Sequence, residues 1–195
     1  VNTRIFDSLS TLNGAGVYLA RMGSENWIDF TNCVFWDYFG SGAGVLGGGI
    51  YLGPTAGVGS GGNAKLVNCS FADNHCNADA TTGFPVDGQA LGLSPDSQAL
   101  VHNSILFWNN TNGVAGGPKP IAGPATVNYS DVEYNWPGTN NIFSDPLFVN
   151  LQSGDLSLQL TPTASQCLDR GDYSQLPTDN LDVDGDGITT GEIIP

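Results

Sequence analysis

The chain has 195 residues, with 5 Lys plus Arg against 19 Asp plus Glu and a formal net charge of −14. Nucleic acid is excluded, because phosphate binding needs a basic stripe, and the same charge argues against anionic membrane surfaces. Gly is abundant at 27 residues, and the longest stretch free of Gly and Pro, 63–82, is rich in the poor helix formers Asn and Asp, so an all-β, turn-rich protein is expected.

The elements repeat in chain order. Arg4-Ile-Phe reads as a strand before a glycine box, Gly14-Ala-Gly-Val-Tyr-Leu19. The box returns as Gly47-Gly-Gly-Ile-Tyr-Leu52 and more weakly as Gly88-Gln-Ala-Leu-Gly-Leu93. A second box follows each one: Phe30-Thr-Asn-Cys-Val-Phe35, Leu66-Val-Asn-Cys-Ser-Phe71 and Leu100-Val-His-Asn-Ser-Ile105, with Thr126-Val-Asn-Tyr-Ser130 closing the series. Two boxes in fixed order, short and β-branched or aromatic, separated by loops of unequal length, predict a right-handed single-stranded parallel β-helix. A β-sandwich would give short strands without this ordered repetition, and a propeller needs more blades than fit.

In such a coil, equivalent residues stack at the inter-strand spacing of about 4.8 Å. Asn32, Asn68, Asn103 and Asn128 are expected to form one structural asparagine ladder, with Leu19, Phe30, Phe35, Leu52, Leu66, Phe71, Leu100, Ile105 and Val127 inside. Residues 1–175 read as the β-helix, irregular from about 140, and 176–195 as an acidic tail leading to further sequence. No run of about eighteen apolar residues exists, so no membrane insertion is expected. The low share of charge and the four cysteines fit a secreted or cell-surface protein. The cysteines allow three pairings, among which sequence does not choose.

Gly47 to Leu52 followed by Leu66-Val-Asn-Cys-Ser-Phe-Ala-Asp-Asn74 resembles the Gly-Gly-Ala-Ile and Phe-x-x-Asn repeats of polymorphic outer-membrane proteins and related bacterial surface β-helices of the pectin-lyase-like superfold. The downstream half, from Asn103-Ser-Ile-Leu through Asp145-Pro-Leu-Phe-Val149 to Cys167-Leu-Asp-Arg-Gly-Asp172, is similar to the ends of secreted bacterial β-helix repeat proteins. The resemblance implies the fold and an extracellular address. It leaves the activity open, because the superfold carries lyases, hydrolases, adhesins and structural proteins.

Candidate chemistry is sparse. Asp182, Asp184 and Asp186 occupy positions 1, 3 and 5 of a calcium loop with Gly187 at 6, but the bidentate acid at 12 is replaced by Ile193. The segment is read either as a Ca²⁺ site or as an acidic linker. Asp37 and Asp73 lie four residues after Cys33 and Cys69, so both pairs are expected to stack one coil apart. The acids would make a catalytic pair, a cation site or a solvated face; the cysteines a disulfide or a reduced ladder.

A lyase resembling the superfold's members would need cationic groups against uronates, and the only cations are Arg4, Arg21, Lys65, Lys119 and Arg170. Glycoside hydrolysis would need neighbouring carboxylates, for which Asp29, Asp37, Asp73, Asp131 and Glu133 qualify by type alone. His75 and His102 read as loop or ladder residues. Trp27, Trp36, Tyr38, Phe39 and Trp108 would form a carbohydrate-stacking platform if exposed, with burial favoured for most.

The expectation is therefore a structural or adhesive surface β-helix with long Gly-rich loops and an irregular C-terminal cap, presenting loops to polysaccharide or to neighbouring subunits; its N-terminal coil either assembles end to end with another copy or is continued by further coils upstream. The alternative is a carbohydrate-active enzyme of the same superfold.

Overall fold

The computed structural model describes residues 3–10, 14–19, 26–40, 47–53, 61–76, 88–109 and 119–176. Nearly every element there is a strand. β1 (Thr3–Ser10) precedes four successive sets. The first is β2 (Val17–Leu19), β3 (Trp27–Thr31) and β4 (Cys33–Gly40); the second is β5 (Ile50–Leu52), β6 (Asn63–Val67) and β7 (Ser70–Ala72), followed by the short β8 (His75–Cys76). The third is β9 (Leu91–Leu93), β10 (Gln98–His102) and β11 (Ile105–Leu106); the fourth is β12 (Ile121–Ala122), β13 (Ala125–Asn128) and β14 (Asp131–Val132).

Corresponding members pair in parallel. They form a first sheet β2-β5-β9-β12, a second sheet β3-β6-β10-β13 and a third sheet β1-β4-β7-β11-β14, with β8 also on β4. Each set is thus one tier, and the chain visits the three sheets in the same order on every tier.

Alternation along the strands decides which side chains enter the core. On β6, Ala64 and Leu66 are fully buried while Lys65 between them is half-buried. Register then builds apolar columns across tiers: Val17, Ile50, Leu91 and Ile121 in the first sheet, and Phe30, Leu66, Val101 and Val127 in the second. The third sheet contributes Ile5, Phe35, Phe71, Leu106 and Val132. Phe35 and Phe71 stack with ring centroids 4.5 Å apart. Each such buried side chain stabilises the fold by about 1.5–3 kcal/mol.

The third tier corrects the sequence alignment by one residue. Val101 pairs with Leu66 and Leu106 with Phe71, so Leu100 and Ile105 lie on the outward side, half-buried. The glycine box has a steric cause: Gly47 has φ +69, and a Cβ there would lie 2.1 Å from the Ile50 carbonyl oxygen. Gly14 holds the same conformation one tier earlier.

The C-terminal end of the tiers is covered. Ile142 bridges Asp131 in parallel, the Tyr129 N–H donates to the Thr139 carbonyl at 2.8 Å, and Trp136 packs against the core. Beyond Ile142 the described chain forms no further parallel coil. It makes an antiparallel pair, β15 (Phe148–Asn150) with β16 (Asp155–Leu158), and ends in a short 3-10 turn at Tyr173–Gln175. This C-terminal segment lies on the outward side of the third sheet, where the Arg4 guanidinium donates to the Gly154 carbonyl and a Cβ on Gly154 would meet the Trp36 ring.

Candidate functional site

The bend between the second and third sheets recurs at a left-handed residue on each tier: Asn32 (φ 52), Asn68 (φ 55), Asn103 (φ 50) and Tyr129 (φ 52). Asn tolerates this conformation better than other non-glycine residues, which explains its recurrence. Asn128 does not belong to the column. It pairs with His102 one residue earlier, and its Oδ1 accepts the Thr139 N–H at 2.8 Å. Sequence alignment matched Asn to Asn, whereas the backbone places Tyr129 at the bend. Nor do side-chain hydrogen bonds run through this column: Asn32 Oδ1 and Asn68 Nδ2 are buried without a partner. Asn103 instead binds the C-terminal segment, its Nδ2 donating to the Asp172 carbonyl at 3.0 Å and its Oδ1 accepting the Asp172 N–H at 2.7 Å.

The next position is the column Cys33, Cys69, Ser104, Ser130. Ser104 Oγ accepts the Cys69 N–H and Ser130 Oγ accepts the Ser104 N–H, both at 3.1 Å. Each also donates to the carbonyl two residues back: Cys33 to Thr31, Cys69 to Val67, Ser104 to His102 and Ser130 to Asn128. Cys33 and Cys69 stand on adjacent tiers as free thiols. The neighbouring Cys69 side chain lowers the Cys33 thiol below its ordinary range, and burial holds Cys69 well above it.

A second left-handed column lies within β4 and just beyond β7, β11 and β14: Asp37 (φ 58), Asp73 (φ 56), Trp108 (φ 58) and Tyr134 (φ 68). Asp37 and Asp73 therefore do share a position on adjacent tiers, and the third tier replaces the acid with Trp. Asp73 is engaged by His75, Oδ1 to Nε2 2.7 Å. One residue on, Asn74 and Asn109 are completely buried and joined by a side-chain hydrogen bond of 2.7 Å. Sequence reading noted the Phe71 to Asn74 element but did not find this amide pair.

The aromatic residues divide. Tyr38 is buried, with its hydroxyl pushed up to about 12 by desolvation, whereas Trp27, Phe39 and Trp108 are about 40% exposed. Tyr18, also exposed, stacks on Tyr51 at 5.6 Å.

A cleft of about 640 Å³ lies between the outward side of the third sheet and the C-terminal segment. Ile105, Ile142, Leu156, Leu158 and Leu168 contribute apolar walls; Tyr129, Tyr173, Asp169 and Arg170 also line it. At its floor Asp131 is 3% exposed. Asp131 Oδ1 accepts the Ser144 N–H at 3.2 Å, and Oδ2 accepts the Cys167 thiol at 3.0 Å. Burial pushes the Asp131 carboxyl up to about 6, against the lowering effect of those hydrogen bonds, and burial plus Asp131 pushes the Cys167 thiol up to about 12. The raised carboxyl and the volume are the usual marks of a ligand site. Sequence gave Asp131 as a candidate by residue type; Cys167, 36 residues away, carried no signal that would pair them.

Glu133 is buried immediately after the strand that carries Asp131, and Asp29 lies on β3 opposite Lys65. His102 has its basicity lowered by burial and by Lys65. Among the described residues no cluster of three or more His, Cys, Asp or Glu suited to a metal is present. The calcium-loop residues Asp182, Asp184 and Asp186, and Arg21, lie outside the described residues. Comparison with protein-family models, with curated proteins and with solved structures finds no match.

Proposed function

We propose that the three parallel sheets are the faces of one right-handed parallel β-helix, and that the protein is a secreted or cell-surface structural and adhesive element. The observation that carries this reading is the continuity of side-chain columns from tier to tier. The cysteine–serine column and the buried Asn74–Asn109 pair spend their polar groups on holding consecutive tiers together. Outside these columns, Trp27, Phe39 and Trp108 offer exposed ring faces against which a sugar ring can pack. Contact with neighbouring subunits belongs to the same reading, away from the last tier, which the 134–142 segment covers. Calcium at Asp182, Asp184 and Asp186 stays a proposal resting on the sequence pattern alone.

Glycan binding is tested on a polysaccharide panel with wild type and Trp108→Ala. Retention that falls at least several-fold in the variant supports adhesion through the exposed rings; no retention of any glycan by wild type contradicts it. The alternative is a carbohydrate-active enzyme, for which the Asp73–His75 pair lies beside exposed Phe39 and Trp108, although His75 Nδ1, the nitrogen not held by Asp73, is buried. Polysaccharide cleavage that His75→Ala abolishes would establish that reading.

A further inference from the structure

We propose that the cleft beneath the C-terminal segment is a binding site for a small aliphatic amine, its alkyl chain between the leucine and isoleucine walls and its ammonium group against Asp131. This inference does not depend on the adhesive reading.

The first argument is charge complementarity. Asp131 is 3% exposed and its oxygens are met by a backbone N–H and a thiol. Among the described residues no Lys, Arg or His forms an ion pair with it. A carboxylate buried without a counter-charge is costly, and a ligand that brings an ammonium supplies what the fold omits.

The groups around it favour a cation. Asp145 adds a second negative field at Asp131, Asp169 lines the cleft, and Arg170 is the opposing guanidinium, itself exposed to solvent. The thiol of Cys167 stays protonated, with its pKa near 12. The whole chain, at −14, draws cations toward it.

The second argument is shape. Ile105, Leu156 and Leu158 suit an alkyl stem, and Tyr129 and Tyr173 also line the cleft. A volume of about 640 Å³ is that of a small-molecule site, which favours a free amine over the side chain of a partner protein.

The probes are n-hexylammonium, its neutral isostere 1-hexanol and the anion hexanoate, titrated calorimetrically into the whole chain at pH 7.5. Hexylammonium should bind at least about ten-fold more tightly than hexanol, and hexanoate should not bind. Asp131→Asn, which removes the charge and keeps one of the two hydrogen-bond acceptors, should erase the difference. Lowering the pH to 5 should weaken wild-type binding about ten-fold, as the carboxyl protonates with a pKa of about 6. Exposed Arg170→Gln, a change remote from the core, should tighten amine binding about two-fold and keeps the test decisive if the Asp131 variant misfolds. Equal binding of hexylammonium and hexanol, unchanged affinity in Asp131→Asn, or weaker binding in Arg170→Gln would overturn the proposal. An acetylated lysine amide that binds more tightly than hexylammonium would overturn the choice of a free amine.

Discussion

The side chain of Asn74 ties three tiers together. Its Nδ2 donates to the Phe35 carbonyl of the preceding tier at 3.0 Å and to Asn109 Oδ1 of the following tier at 2.7 Å. Asn109 Nδ2 in turn donates back to the Phe71 carbonyl at 2.7 Å. Both residues are completely buried, so these bonds form where water cannot replace them.

Asn74→Ala should therefore remove the side-chain donor to the Phe35 carbonyl and leave Asn109 Oδ1 only the Asn74 backbone N–H at 3.3 Å, at a cost of about 2 kcal/mol. Denaturant unfolding at equilibrium checks this. A loss below about 0.5 kcal/mol would mean that the pair is not a tie between tiers.

The positions that bend the backbone were the legible ones. Gly47 and Asn68 recur because each stands where φ is positive, and a steric demand of that kind is written into the residue itself. The demand on apolar positions is looser. Leu100 and Val101 are both acceptable strand residues, and only pairing with β6 shows that Val101 is the inward one. Tyr129 hid the fourth bend for the converse reason: a bulky residue adopts φ 52 there, and Asn128 beside it drew the alignment. The cleft was not legible at all. Asp131 and Cys167 meet only because the chain after Ile142 folds back over the third sheet, a tertiary event with no repeat to announce it.

The cysteine–serine column makes a graded prediction. Cys69→Ser should change stability by less than about 1 kcal/mol, since Ser104 and Ser130 already fill the same position on later tiers. Ser104→Ala removes the acceptor of the buried Cys69 N–H and should cost about 1–2 kcal/mol. Thermal unfolding of the two variants distinguishes them, and the reverse order would contradict the column.

Gly47→Ala places a Cβ against the Ile50 carbonyl at a left-handed backbone position. Relief requires moving the entry to β5, so a loss of more than about 1 kcal/mol is expected. Circular dichroism melts that coincide with wild type would show that the glycine box has another cause.

Asp131 sets a pH dependence of defined sign. Its carboxyl titrates near 6 in the folded chain, above the ordinary value of 3.8. Its contribution is complete below pH about 4 and is lost as pH rises through 6, amounting to about 3 kcal/mol at most. Asp131→Asn should flatten the stability profile between pH 4 and about 7 and be the more stable form at the upper end. Unfolding curves for both proteins across that range, if they fell in parallel, would remove Asp131 from the account.

The most direct test of the tiered parallel architecture is nuclear magnetic resonance detection of scalar couplings through backbone hydrogen bonds. The account predicts couplings from the Ile50 amide to the Ala90 carbonyl, from Ile105 to Cys69 and from Asp131 to Ser104, each linking one tier to its neighbour. Couplings that instead join these amides to antiparallel partners within their own tier would contradict it.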